Sequence, residues 1–378
     1  MSMSHELIDT KEALSEVEDS LRGVDRIALD LEAAGFHRFS DRLCLVQIST
    51  REETFVLDPL ALDLKDTLKG ILEDPQVQVV MHGADYDIRL LDRDLGIRIQ
   101  GLFDTQTAAS LLGASAIGLA SLLEEHLGIK LSKKHQRADW AQRPLPSGML
   151  AYAAADTRHL LALADLLEEE LEKKGRLAWA REEFRLLEEI RWEEDDSDPI
   201  LRVKGARDLT PRAATALREA MAWRDQIARE RDRAPFRVAG DNILFSIVVE
   251  RPDSVDELAA MKGVSPRLAR EKGASLLARL RQVDELPEDA LRPYPRYQGN
   301  GPGRPSPEEE ALANRIRDLR TKKAEGLEVD RGVLLSNAQI MEVVRRSPRD
   351  LQELEGIPGL RSWQAQILGP EIMRILEN

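Results

Sequence analysis

The sequence opens on a strand-like alternation. In residues 25–32, Ile27, Leu29 and Leu31 alternate with Ala28, Asp30 and Glu32, the two-residue period of a β-strand. One face is aliphatic and suited to a core. The other carries two carboxylates. Two further runs, 43–48 and 54–58, predict a β-meander, and Pro59 closes the third strand. Residues 7–21 read as an amphipathic helix before the first strand, and 62–73 as a helix after the third. Residues 77–81 form a short aliphatic run of the buried-strand kind. His82-Gly83-Ala84 turns the chain into a helix over 85–95, with Asp85 expected as its N-cap. Helices at 105–112 and 119–127 precede a polar loop, 132–146. A long helix is expected over 147–174, and another over 176–193. Strands alternating with helices predict an α/β domain.

The acidic stretch from Glu193 to Asp198, before Pro199, reads as a solvated connector. Beyond it every periodic segment is helical, at 208–232, 241–250, 254–261 and 265–282. Dense Pro and Gly then mark a linker, after which the helical pattern returns. Asp256-Glu257-Leu258 and Gly263-Val264 parallel Asp350-Leu351 and Gly356-Ile357, and Trp223-Arg224 parallels Leu319-Arg320. The offset is roughly ninety-five residues, read as a duplicated small bundle. The expected organisation is a first domain over 1–198, a bundle over 199–284, a linker over 285–305 and a second bundle over 306–378.

Length and composition suit this division: 378 residues exceed one ordinary domain. Hydrophobic residues make up 42 % and charged residues 32 %, as in globular chains. No apolar run reaches membrane-spanning length, and the N-terminus lacks the basic and apolar regions of a leader. The lone Cys44 excludes an internal disulfide and a cysteine-based zinc site. A cytoplasmic protein is expected. The net charge of −14 is unevenly spread: residues 1–200 carry about −17, and 201–283 about +6.

Four acids stand out. Asp30 and Glu32 share a strand face. Asp87 sits on the first turn of a helix that follows a buried strand. Asp156 lies within an aliphatic helix, one turn after Tyr152. Such a set can hold divalent cations for phosphoryl transfer. Spacing alone leaves open whether the four converge, since a helical Asp or a Tyr–Asp pair is commonly a surface feature.

Asp30-Leu31-Glu32, the run His82-Gly83-Ala84-Asp85-Tyr86-Asp87 and the run from Tyr152 through three alanines to Asp156 resemble the three exonuclease motifs of the DEDD superfamily, tyrosine branch. Asp104-Thr105, Asp139-Trp140 and Arg143-Pro144-Leu145 are specifically similar to bacterial ribonuclease D. The paired bundles resemble HRDC domains, so the resemblance covers nearly the whole chain. It implies an α/β ribonuclease H-like exonuclease domain with a mixed sheet, followed by two all-α HRDC-like bundles. It implies a metal-dependent 3′→5′ exoribonuclease that releases 5′-monophosphates and trims structured RNAs such as transfer-RNA precursors. Two divalent ions, Mg or Mn, are implied as cofactors. Asp30 would bridge both ions. Glu32 and Asp156 would complete the site of the attacking water, Asp87 would act at the second ion through water, and Tyr152 would orient or help deprotonate the nucleophile.

The implied partner is RNA with an accessible 3′ end, bound by a monomer without a membrane. Lys133, Lys134 and Arg137 form a basic loop suited to guiding phosphate, and Arg229, Arg231 and Arg233 a second cluster. Aromatic content of 4 % favours backbone binding over base readout. The second bundle is not basic overall; Arg320, Lys322 and Lys323 are its main cluster, and packing on the first domain is its alternative role. His82 is read as a hydrogen bonder at the helix start, with substrate contact as the alternative. Asp104 is read as a helix cap, Trp140 and Trp223 as core, and Gln47 as either a strand-pairing or a substrate-contacting residue. A DNA exonuclease using the same site and a non-catalytic RNA-binding protein remain the rival readings.

Overall fold

The computed structural model describes residues 7–295 and 303–377. A six-stranded mixed sheet forms the first layer. Its strands are β1 (Leu7–Ile8), β2 (Arg26–Ala33), β3 (Leu43–Ser49), β4 (Thr54–Leu57), β5 (Gln78–Met81) and β6 (Leu102–Asp104). Their order is β1-β4-β3-β2-β5-β6. The β2–β3 and β3–β4 pairs are antiparallel, the meander that the alternation predicts, while β5 and β6 extend β2 in parallel. Helices α1 (Lys11–Leu21), α2 (Lys65–Leu72), α3 (Asp85–Leu95), α4 (Thr105–Leu112), α5 (Leu119–Leu127), α6 (Ser147–Arg158), α7 (Leu160–Lys173) and α8 (Leu177–Glu188) surround it.

Several boundaries differ from the sequence reading. The expected helix at 7–21 begins at Lys11, because Leu7 and Ile8 pair with Val56 and Leu57 at the sheet edge. Strand β6 is too short to show a period. The expected long helix at 147–174 is two, meeting at His159, whose φ and ψ are −108° and 3°. The break lets the chain change layers. Met149, Ala153 and Ala154 of α6 pack with Cys44, Leu45 and Val56 on one side of the sheet. Leu160, Leu163 and Leu167 of α7 join the main core with Ile27 and Leu29 on the other. The carboxylate-bearing face of β2 is therefore covered by α6, not simply solvated. The helix expected at 176–193 stops at Glu188.

The first bundle comprises α9 (Pro211–Glu230), α10 (Pro235–Val238), α11 (Asp241–Glu250), α12 (Val255–Ala260) and α13 (Pro266–Glu285). The second comprises α14 (Pro307–Leu327), α15 (Arg331–Leu334), α16 (Asn337–Arg346), α17 (Leu351–Glu355) and α18 (Ser362–Leu376). They repeat at one constant offset. Arg224 on α9 is buried and pairs with Asp241 at the start of α11. Arg320 on α14 is likewise buried and donates to Asn337 at the start of α16. Arg320 is thus an internal strut, not part of an exposed basic cluster.

The two bundles attach differently. The second shares the main core, with Ile316, Leu354 and Trp363 in the same apolar cluster as Phe184 and Leu112. Trp363 stacks on Trp179 with ring centroids 4.7 Å apart. Arg361 donates to Glu183 at 3.0 Å, and Arg176 to the Leu327 carbonyl. The first bundle has its own core and meets the sheet domain through polar ties near Phe36. The expected linker divides. Leu291 is buried on the first bundle, and the Arg292 carbonyl accepts from Arg218; residues 296–302 lie outside the described set.

Candidate active site

Asp30 and Glu32 reach the site because residues two apart on a strand share a face. Helix α6 lies over that face and supplies Asp156 and Tyr152. One carboxylate oxygen from each of Asp30, Glu32 and Asp156 lies within 4.8 Å of the others. Burial is the main reason these acids resist ionisation. It pushes the Asp30 carboxyl up to about 7, against a backbone hydrogen bond from Leu31. Burial, then the charges of Asp30, Asp156 and Asp87, push Glu32 up to about 10. Asp156 rises to about 8 through burial and the Asp30 charge, although a hydrogen bond from Tyr152 lowers it. Asp87 is raised well above the ordinary range by burial and by the charges of Asp30 and Asp104. It stands outside the close trio but within its field.

Like-charged groups this close are a cost unless a cation or protons offset it. The oxygen-only donor set fits a hard divalent cation, so the residues suit the metal that the motifs imply. Burial, followed by the charges of Asp156, Glu32 and Asp30, raises the Tyr152 phenol above its ordinary value. At neutral pH it is therefore a hydrogen-bond donor, and it donates to Asp156.

A cleft of about 410 Å³ opens on these groups, lined also by His82, Gln106, Lys133 and Gln136. His82 Nδ1 lies 2.9 Å from Thr105 Oγ1. Thr105 in turn donates to the Met81 carbonyl, so His82 donates through Nδ1. Asp85 is not the cap of α3. Ala84 holds that position, and its N–H donates to Asp104 at 2.8 Å. Asp104 also accepts from Thr107 as the cap of α4. The loop above the cleft is pinned by Arg143, which donates to Asp58 at 2.6 and 2.7 Å and to the Cys44 carbonyl. Trp140 and Trp223 are both buried.

The basic residues divide. Lys133 lines the cleft, and Lys134 is exposed on the same loop. The Arg137 guanidinium lies 5.6 Å from the Phe36 ring centroid, and that of Arg229 5.1 Å from Phe39. Arg231 is tied to Glu271 at 2.8 Å, which partly cancels its charge. Arg233 is exposed. Gln106, in the first turn of α4, and Gln136, in the loop, escaped the sequence reading, because a single polar residue carries no periodic signal.

A 3′-5′ exonuclease family profile matches residues 5–172, and an HRDC domain profile matches 214–280 and 309–376. The chain is 32 % identical over 377 residues to a ribonuclease D of Gluconacetobacter diazotrophicus, covering 98 % of this chain and 93 % of that protein. This chain belongs to the ribonuclease D family. The solved structure of Escherichia coli RNase D, described as an exoribonuclease involved in structured RNA processing, superposes with a TM-score of 0.69 at 29 % identity, covering 99 % of each chain. A protein from Bifidobacterium adolescentis shares the fold at a TM-score of 0.84 and 24 % identity, over 99 % of this chain and 97 % of that one. Ribonuclease D membership makes the chain a 3′→5′ exoribonuclease by class, with use of a divalent metal. Among the described residues, no helix is long and apolar enough to cross a membrane.

Proposed function

We propose that the chain removes nucleoside 5′-monophosphates one at a time from the 3′ end of RNA, trimming structured RNAs such as transfer-RNA precursors in the cytoplasm. The convergence of the Asp30, Glu32 and Asp156 oxygens within 4.8 Å carries this reading. Asp30, Glu32 and Asp156 would hold the metal, with Asp87 at a second ion. Divalent cations bound there would offset the carboxylate charge, activate water and stabilise the leaving oxygen. Two ions, Mg or Mn, suit four carboxylates.

Tyr152, bonded to Asp156, would orient the attacking water or help deprotonate it. Lys133, on the cleft wall, draws the phosphate backbone toward an acidic site that would otherwise repel it. The chain would act on RNA as a monomer.

The test is hydrolysis of a 5′-labelled RNA with a single-stranded 3′ tail, in Mn²⁺, Mg²⁺ or chelator, by the wild type and Asp156→Ala. A ladder shortening from the 3′ end, lost in chelator and in the variant, is expected. Intact RNA that is still bound would make the chain a binding protein instead. Faster shortening of a matched DNA would make it a DNA exonuclease.

A further inference from the structure

Two phenylalanines remain exposed where the exonuclease domain meets the first bundle. Phe36 follows the catalytic strand and is 39 % exposed; Phe236, on α10, is 53 % exposed. Their ring centroids are 5.5 Å apart at 53°, so the two domains build one aromatic surface. The Arg237 guanidinium lies 4.7 Å from the Phe36 centroid and 5.8 Å from that of Phe236. Arg137, in the exonuclease domain like Phe36, lies 5.6 Å from the same ring centroid.

The joint is held in register. Ala234 N–H donates to the His37 carbonyl at 3.0 Å. Arg237 Nε donates to the Phe36 carbonyl at 2.7 Å. His37 Nε2 lies 2.9 Å from the Arg137 carbonyl. Apolar rings left half in water beside guanidinium groups do not suit simple core packing. They suit a ligand with flat faces and negative charge.

The surface follows closely along the chain from residues that line the active-site cleft. Phe36 is four residues beyond Glu32, a span of at most about 14 Å. Arg137 follows Gln136, which lines the cleft. A strand whose 3′ end sits on the carboxylates would therefore meet this surface within a few nucleotides. We propose that Phe36 and Phe236 form a stacking platform for an unpaired base of the RNA a few nucleotides upstream of the 3′ end, with Arg137 available to its phosphate. This assignment rests on the exoribonuclease reading and extends it. Stacking on a ring is sequence-tolerant, as trimming of varied tails requires.

The probe is an unstructured oligoadenylate carrying 2-aminopurine at successive positions from the 3′ end, added to the full chain in chelator so that no hydrolysis occurs. Quenching by the wild type should peak at one or two positions near, but not at, the terminus. Phe236→Leu keeps an apolar side chain at the joint and should abolish that maximum, weakening binding on the order of tenfold. Phe236→Trp should restore both. Phe36→Leu should act in the same direction, with circular dichroism and thermal midpoint reporting that each variant is folded. Equal quenching and affinity in the wild type and both leucine variants would overturn the platform and leave the exoribonuclease reading standing. Failure of the wild type to bind the probe would overturn the platform, whereas the exoribonuclease reading stands or falls on the metal-dependent ladder.

Discussion

Gln47 stands directly across the β2–β3 ladder from Asp30, fully buried, with neither atom of its amide hydrogen-bonded. Residues opposite one another in a ladder share a face, so this unsatisfied amide sits beside the carboxylate trio. A buried amide without partners is costly. Gln47→Leu should therefore raise the thermal midpoint of the metal-free protein while reducing RNA hydrolysis about tenfold or more. Calorimetry in chelator and initial rates with added metal measure the two effects. A stabilised variant of undiminished activity would show that the amide has no part in the reaction.

The carboxylates carry the same opposition of stability and function. Asp156→Asn retains shape and removes the cost of burying an ionisable carboxyl beside Asp30. Hydrolysis should fall on the order of a thousandfold or more, and the metal-free thermal midpoint should rise. A destabilised variant would mean that Asp156 is held mainly by favourable contacts such as that with Tyr152.

The pH dependence follows from the raised values of Asp30, Asp156 and Glu32, about 7, 8 and 10. An acid whose folded pKa lies above its unfolded one binds more protons in the native state. Its stabilising contribution is complete below the unfolded pKa, near 4, and is lost as pH rises through the folded value. In chelator, stability attributable to this cluster should therefore decline from about pH 4 up to about pH 10. A divalent cation that binds only the folded state offsets the decline, so the difference in thermal midpoint between metal and chelator should grow with pH, to about 5 °C or more at pH 8. A metal-independent profile over this range would contradict the buried-cluster description.

The contact between the exonuclease domain and the second bundle is tight at Gly113. This residue ends α4 at a φ of +87°, and a Cβ there would collide with the Glu328 carbonyl oxygen. Both the left-handed backbone and the close approach require glycine. Gly113→Ala should displace the second bundle, and Trp363→Ala should cost about 3–5 kcal/mol through the cavity left beside Trp179. Limited proteolysis should cut the second bundle faster in either variant. Unchanged proteolysis in both would show that this joint is not what holds the bundle.

Much of the plan was legible in the amino-acid order. The alternation from Ile27 to Leu31 defined the central strand, helical periods located most helices, and Trp223-Arg224 against Leu319-Arg320 disclosed the duplication. Each is a local pattern, set by a two-residue or 3.6-residue period that needs no distant partner. The resemblance of three acidic motifs named the chemistry, but periodicity alone left their convergence open. That Asp156 meets Asp30 and Glu32 depends on α6 crossing one side of the sheet, a contact between residues far apart in the chain. The same packing broke the expected long helix at His159, since its two halves serve opposite layers. Likewise, only the fold placed Arg320 inside its bundle, gave Arg231 to Glu271 and brought Phe36 against Phe236. A side chain's exposure and partner belong to whatever the rest of the chain packs around it, and no neighbouring residue in the sequence encodes that.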